Sequence, residues 1–178
     1  MKVTRGQLTG LGILTALGVA YFFKDHLRKL LTKKGSLGQI VNERTRNNIL
    51  TLHPEIQQHA IDMVLDLQDQ GIELLIYETC RDGQKQQEVY DNGWSNALPG
   101  QSYHNYCPPV AFDAVEVIND VAQWDSPNWG VIGETGKKHG FEWGGEWISL
   151  VDKPHFQMPI FGRIATLQKD YPDLILPT

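Results

Sequence analysis

The sequence predicts an α+β fold in which a small antiparallel sheet is flanked by helices and preceded by a hydrophobic N-terminal helix. A chain of 178 residues is long enough for one domain with a substantial core. Helical and strand-like patterns are mixed along it, without the repeated strand–helix–strand order of a parallel sheet. An uncharged segment, residues 6–23, precedes this mixed region.

The N-terminal arm, residues 1–34, differs in charge from the rest of the chain. It holds seven basic residues and one acidic residue, whereas residues 35–178 hold nine basic and twenty acidic residues. This asymmetry divides the chain into a basic arm and an acidic domain. The formal net charge of −5 argues against nucleic acid as a partner.

The uncharged segment in the arm is 18 residues long. As a helix it would span about 27 Å, which is close to the thickness of the hydrocarbon core of a bilayer. Its apolar character is modest, and basic residues flank both ends. Three interpretations stay open: a signal peptide or signal anchor, a helix that docks on a protein partner, and a helix packed on its own domain.

The first half of the domain carries clear start and stop signals. Residues 36–52 are polar and mixed, which predicts irregular chain with a short helical turn. Pro54 suits the first turn of a helix, and apolar residues at helical spacing continue that helix to Gly71. The apolar run 72–77 predicts a buried strand, and the polar segment 84–92 predicts a short helix.

The second half contains shorter elements that Gly and Pro separate. The alternating residues 110–117 predict a strand, and residues 129–139 predict a helix that Gly140 ends. Three short strands are predicted beyond this helix, at residues 141–143, 147–150 and 155–157.

Two clusters hold the residue types that zinc chemistry needs. One cluster, residues 102–113, contains His104 and Asp113, and the other, residues 152–157, contains His155. Two His and one Asp supply three ligands to Zn²⁺ and leave a fourth position for a water molecule. The ion lowers the pKa of that water toward about 7, which gives a nucleophile at neutral pH.

Two further charged residues fit the chemistry of such a nucleophile. Asp152 precedes His155 by three residues, so it can take a proton and pass it to a leaving amine without binding the metal. Arg81 follows the predicted strand 72–77 and supplies a cation for a developing oxyanion. Each residue taken singly also has a structural explanation, as a turn cap, a surface ion pair or a solvated charge. Their combination favours the chemical interpretation.

Several motifs form a joint pattern in the domain. They are Ser-x-His at 102–104, Ala-x-Asp at 111–113, Asp-x-Pro-His-Phe-Gln at 152–157, Glu-Trp-Gly-Gly at 142–145, His-Pro-Glu at 53–55 and Thr-x-Arg at 79–81. Together they resemble the zinc LAS-type peptidoglycan peptidases, in particular the VanY-like branch with the phage L-alanyl-D-glutamate endopeptidases. The resemblance spans residues 42–157 and leaves out the N-terminal arm.

The resemblance implies a role for each site residue. His104, Asp113 and His155 would bind zinc. Asp152 would be the general base and acid, and Arg81 would stabilise the tetrahedral oxyanion. Ser102 would hold the metal-binding loop by a hydrogen bond.

The sequence departs from the family pattern between the first two ligands. Eight residues separate His104 from Asp113, where the family commonly has six, and Cys107-Pro108-Pro109 replaces a Gly-containing turn. We expect the extra residues to bulge outward. Cys107 is an alternative zinc ligand by residue type, and a disulfide with Cys80 is an open alternative outside the cytoplasm.

Five Trp residues in a chain of this length are unusual. Trp143 and Trp147 lie near the second cluster, where they either line a groove or pack in the core.

The resemblance implies a zinc metallopeptidase that cleaves a stem-peptide bond of peptidoglycan, L-alanyl–D-glutamate, as in phage lysis of the cell wall. A D-alanyl-D-alanine carboxypeptidase or dipeptidase is the nearest alternative activity. A non-catalytic wall-binding or virion structural domain of the same fold is the alternative from another class. The partner would be the stem peptide, and the protein would be a monomer.

The location expected for this activity conflicts with the charges of the arm. We expect residues 6–34 to contact a membrane or a virion protein, with an exported domain that acts in the periplasm or the cell wall. Basic residues after the apolar segment favour retention inside the cell. The alternative is a protein that waits in the host cytoplasm before lysis, or in the virion.

Overall fold

The computed structural model describes residues 35–160 and 162–170. The α-helices in this part of the chain are α1 (Glu43–Ile49), α2 (Pro54–Asp69), α3 (Gly83–Asp91), α4 (Trp129–Lys138) and α5 (Ile164–Asp170). The strands are β1 (Glu73–Glu78), β2 (Ala111–Ile118), β3 (Val121–Gln123), β4 (Glu142–Trp143) and β5 (His155–Gln157). Short 3₁₀ helices lie at Leu37–Gln39, Tyr103–Asn105 and Gly144–Glu146. The predicted mixture of helices with a small antiparallel sheet is confirmed.

The five strands form one sheet in which every pairing is antiparallel. Strand β2 is central, because β1 pairs along one of its edges while β5 and β3 share the other edge. Strand β4 pairs with the outer side of β5. The register places Glu78 of β1 opposite Asp113 of β2, and Asp113 opposite His155 of β5. Three charged or titratable residues therefore lie in one row across neighbouring strands.

Helix α2 provides much of the core beneath the sheet. Proline at its first turn and a hydrogen bond from the Glu55 N–H to Nδ1 of His53 (3.3 Å) fix its start. Gly71, at φ +79°, ends it. The apolar face predicted from helical spacing is buried: Ile56, Ala60, Met63, Val64 and Leu67 are at most 2% exposed. This face packs against β1 and α4.

Two local predictions are wrong. Residues 36–52 contain a two-turn helix, α1, which Asn42 caps by accepting a hydrogen bond from the Thr45 N–H (3.0 Å). The sequence of α1 shows no apolar helical face, because its two buried residues are Ile49 and the polar Thr45. Residues 147–150 form no strand. The Asp152 N–H donates to the Gly144 carbonyl (2.9 Å), so the chain folds back as a loop with Ile148 fully exposed.

The predicted N-terminal helix and the division of the chain at residue 34 fall outside the described residues. None of the helices that the structure does describe has the length and apolar character that a membrane crossing needs.

The contact between α4 and β5 gives a test of the packing next to His155. A Cβ at Gly136 would lie 2.5 Å from the Phe156 ring, so Gly136→Ala must displace that ring. We expect a loss of about 1–3 kcal/mol in the free energy of unfolding, measured by denaturant titration. Gly130→Ala on the same helix is the control, because its Cβ would meet nothing within 4 Å. It should leave stability unchanged or raise it by up to about 1 kcal/mol. Equal effects of the two substitutions would contradict this packing.

Candidate active site

The fold brings His104, Asp113 and His155 together. Asp113 and His155 are neighbours across β2 and β5, and His104 reaches them from the 3₁₀ helix Tyr103–Asn105. Nε2 of His104 lies 3.2 Å from Oδ1 of Asp113, and Nδ1 of His155 lies 3.1 Å from the same oxygen. The two imidazole nitrogens are 3.1 Å apart. All three residues are buried.

This triangle of atoms fits a zinc ion. Tetrahedral zinc with bonds of about 2.0 Å to nitrogen and oxygen separates its ligands by about 3.3 Å, close to the observed edges. Two imidazoles and one carboxylate are also a donor set that catalytic zinc uses. Among the residues that the structure describes, these three are the cluster of His, Cys, Asp and Glu that could hold a metal.

Each of the two imidazoles is oriented by a hydrogen bond at the ring nitrogen that faces away from the cluster. Nδ1 of His104 donates to the carbonyl of Thr79 (2.7 Å), which leaves Nε2 as the free acceptor. Nε2 of His155 bonds to Oε1 of Gln157 (3.0 Å). Such outer contacts fix the tautomer and direction of metal ligands. The Thr79 and Gln157 contacts could not be assigned from the sequence, because neither residue type signals such a role.

Arg81 holds the far oxygen of the carboxylate ligand. Its guanidinium donates to Oδ2 of Asp113 (2.9 Å) and forms an ion pair with Glu78. A third contact reaches Oε1 of Gln86 (3.2 Å), and Arg81 is 8% exposed. The structure therefore places Arg81 at the site as predicted and gives it a positioning contact that sequence reasoning missed. Its expected contact with an oxyanion stays a prediction.

Asp152 lines the same cleft as the three clustered residues. Its carbonyl accepts from the His155 N–H (3.2 Å), and its own N–H is bound by Gly144. The close packing of residue 144 against this loop needs glycine. A Cβ at residue 144 would lie 2.5 Å from the Asp152 carbonyl and 3.1 Å from Cβ of His155. The Glu-Trp-Gly-Gly motif thus supports the loop that carries Asp152.

The pKa values of the two carboxylates of the site are shifted in opposite directions. Burial would raise the pKa of Asp113, but the charges and hydrogen bonds of His104 and His155 outweigh it and hold that pKa well below its ordinary value. Burial raises the pKa of Asp152, and the nearby charge of Asp113 raises it further. The surroundings therefore favour the ionised form of Asp113, which a metal site would need, and they favour the protonated form of Asp152 more than water does.

The loop that carries His104 is fixed by several contacts. Oγ of Ser102 accepts from the His104 N–H (3.3 Å), as expected, and the Arg81 N–H donates to the His104 carbonyl (2.8 Å). Cys107 forms a disulfide with Cys80, so it is not a thiolate ligand. Cys107 lies in the segment between His104 and Asp113, so the disulfide anchors this segment. The side chains of His104 and Asp113 remain in contact with each other.

The three residues lie in a cleft of about 1140 Å³. Trp147 borders it, with its ring centroid 5.0 Å from that of His155. Trp143 instead packs against Gly133 and Gly145 and donates from Nε1 to the Lys153 carbonyl (2.7 Å). The open alternatives for these two Trp residues are thus resolved differently: Trp147 lines the groove, and Trp143 is a packing residue.

Comparison with known proteins gives one consistent family. Residues 95–158 match the family model described as D-alanyl-D-alanine carboxypeptidase. The chain is 32% identical over 123 residues to the peptidoglycan L-alanyl-D-glutamate endopeptidase CwlK of Bacillus subtilis (strain 168), covering 60% of this chain and 73% of CwlK. It is 36% identical over 95 residues to the L-alanyl-D-glutamate peptidase of Listeria phage A118, covering 49% of this chain and 31% of that protein.

A solved structure agrees with these relatives. The crystal structure of the L-Ala D-Glu endopeptidase ChiX of Serratia marcescens superposes with a TM-score of 0.56 and 26% identity, covering 77% of this chain and 99% of ChiX. The fold and the buried His–Asp–His cluster define a metallopeptidase. The chain belongs to the LAS-type peptidase family that contains CwlK.

The contacts of Arg81 predict a combined effect on metal and rate. In Arg81→Ala, Asp113 loses its partner at Oδ2, so we expect zinc affinity to fall by about 10- to 100-fold. If Arg81 also stabilises an oxyanion, kcat of the zinc-saturated variant should fall by about 10²–10³. Chelator competition and kinetics in excess zinc separate these effects. Lys85→Ala is the control, because Lys85 lines the cleft but pairs with exposed Glu88. Unchanged zinc affinity in Arg81→Ala would exclude the positioning role.

Asp152 gives a second test of the site. Asp152→Asn keeps the shape and the backbone bonds to Gly144 and His155, but it removes the carboxylate that exchanges a proton. We expect normal folding and zinc content, with kcat lowered by about 10²–10⁴. Circular dichroism, metal analysis and steady-state kinetics measure the three properties. A near-normal kcat would assign the proton transfer to another group.

Proposed function

We propose that the protein is a zinc-dependent peptidoglycan endopeptidase that hydrolyses the L-alanyl–D-glutamate bond of the stem peptide. The observation that carries the proposal is the buried triangle of His104, Asp113 and His155, which fits zinc and opens into a cleft beside Asp152. The names of CwlK, the phage A118 peptidase and ChiX support this bond as the substrate.

The side chains of the site divide the work of hydrolysis. His104, Asp113 and His155 would hold the ion, which when bound supplies Lewis-acid activation of water and of the scissile carbonyl. Asp152 takes a proton from the attacking water and delivers it to the amine of the departing D-glutamate. Burial and the charge of Asp113 raise the pKa of Asp152, and a bound dication would favour its ionised form, which accepts the proton in the first step. Arg81 keeps Asp113 in place throughout.

The relatives favour an endopeptidase over a D-alanyl-D-alanine carboxypeptidase or dipeptidase. CwlK, the phage A118 protein and ChiX are all named as L-alanyl-D-glutamate peptidases. The family model named for the carboxypeptidase keeps that activity as the alternative to test.

The disulfide between Cys80 and Cys107 supports action outside the reducing cytoplasm. A wall-facing domain with an arm that contacts a membrane or a virion protein agrees with this compartment. Storage in the host cytoplasm before lysis, or in the virion, is the alternative for a phage-like enzyme.

Digestion of purified cell walls tests the proposed bond. The zinc-loaded full chain should release stem peptides with a new N-terminal D-glutamate and leave L-alanine on the glycan, as mass spectrometry of the products can show. Release of free D-alanine would instead identify a carboxypeptidase, and no release would support a non-catalytic wall-binding or virion domain.

Two His variants link this activity to the metal. His155→Ala should lose stoichiometric zinc and wall digestion together, because it removes one of the three corners of the proposed ligand triangle. His139→Ala is the matched control, since His139 pairs with Asp66 outside the cleft (2.8 Å). Full zinc content and activity in His155→Ala would remove His155 from the site.

A further inference from the structure

Three of the five Trp residues line the cleft beside the zinc site, and two of them keep large exposed surfaces. Trp94 is 65% exposed and Trp124 is 56% exposed, whereas Trp129 is buried. Large apolar side chains that stay exposed in one concave region are typical of a binding surface. The zinc chemistry described above does not use either ring.

Trp124 presents a preformed flat face. Its ring meets the ring of Tyr77 edge-on, with centroids 5.4 Å apart and an interplanar angle of 70°. Its carbonyl accepts a hydrogen bond from Nε1 of buried Trp129 (3.0 Å), which anchors the backbone. Tyr77 lies at an irregularity of β1, next to the residue that faces Asp113. The ring of Tyr77 therefore links Trp124 to β1, whose last residue, Glu78, lies opposite Asp113 on β2.

The chemistry of the proposed substrate determines what lies near this face. In peptidoglycan, the amino group of L-alanine is joined to the lactyl group of N-acetylmuramic acid. The L-alanine and the lactyl ether together span about two residues of extended chain, so the sugar ring lies about 7 Å from the scissile carbonyl. When that bond reaches the zinc site, the sugar ring must enter the same cleft.

We propose that Trp124 is a stacking platform for this muramic acid ring, so that the enzyme prefers stem peptides still attached to glycan. The proposal rests on the proposed function, because only cleavage next to L-alanine brings a sugar so close to the scissile bond. One face of a pyranose ring consists of C–H groups. Its contact with a rigid indole removes apolar area of both from water at little cost in conformational entropy.

A pair of substrates that differ only in the sugar tests the proposal. They are N-acetylmuramyl-L-alanyl-D-γ-glutamyl-L-lysine and N-acetyl-L-alanyl-D-γ-glutamyl-L-lysine. The zinc-loaded wild-type chain should cleave the first with a kcat/KM about 5- to 20-fold higher, as chromatography of the products measures. Trp124→Ala should abolish this preference and leave kcat/KM for the sugar-free peptide within about twofold of wild type.

Further variants separate stacking from other effects. Trp124→Phe keeps a flat ring and should retain part of the preference for the peptide with the sugar. Trp124→Leu keeps apolar area but has no flat face, so it should lose this preference. Ile148→Ala is the control, because Ile148 is fully exposed and does not line the cleft. It should behave as wild type.

Three results would contradict the contact between Trp124 and the sugar without contradicting the proposed cleavage of the L-alanyl–D-glutamate bond. The first is a wild-type enzyme without preference for the sugar, and the second is a preference that Trp124→Ala retains. The third is an equal loss of kcat/KM in Trp124→Ala on both peptides. This loss would mean that Trp124 acts on the zinc site through Tyr77. Failure of the wild-type chain to cleave either peptide would refute the proposed function itself.

Discussion

Asp113 and His155 face each other across β2 and β5, and this backbone register determines the geometry of the site. Main-chain hydrogen bonds hold these two residues on paired strands, so their separation does not depend on loop conformation. The same row extends to Glu78 on β1, which shares the guanidinium of Arg81 with Asp113. Charge balance around the buried carboxylate is therefore built into the sheet. A one-residue slip in either pairing would turn these side chains to the opposite face.

His104 needs separate support because it comes from outside the sheet. It follows a long connection from α3, and eight residues separate it from Asp113. The disulfide closes a sequence separation of 27 residues and joins the segment after His104 to the residue next to Arg81. A link across this many residues lowers the conformational entropy of the unfolded chain, which raises the free energy of unfolding by about 3–4 kcal/mol. The carbonyls of Thr79 and His104 add hydrogen bonds between the same two segments. The disulfide and these two hydrogen bonds thus fasten the loop that carries His104 to the segment that follows β1.

Sequence patterns predicted the parts of this structure that local signals control. The start of α2 at Pro54, its end before Gly71, and strands β1 and β2 follow from capping, periodicity and alternation. The motifs also selected His104, Asp113 and His155, which the fold brings into contact. The missed features have two causes. Helix α1 is bound to β1 through the side chains of Thr45 and Asn48, and Arg81 bonds to Asp113, so these partners lie about 30 residues away, where local pattern carries no information. The bond of His155 to Gln157 and the turn that the Asp152 N–H makes to the Gly144 carbonyl are local, but no residue type indicates them.

The arrangement of charges explains how a mostly acidic domain can place two carboxylates within one site. Asp113 remains ionised because two imidazoles and the guanidinium of Arg81 surround it. At Asp152, burial and the charge of Asp113 raise the pKa by more than the charges of His155, His104 and Arg81 lower it. Binding of a dication would supply the positive charge that favours ionised Asp152, and loss of that charge would favour its protonated form. A bound dication would therefore favour the form of Asp152 that can accept a proton, in the same site where that ion would activate water.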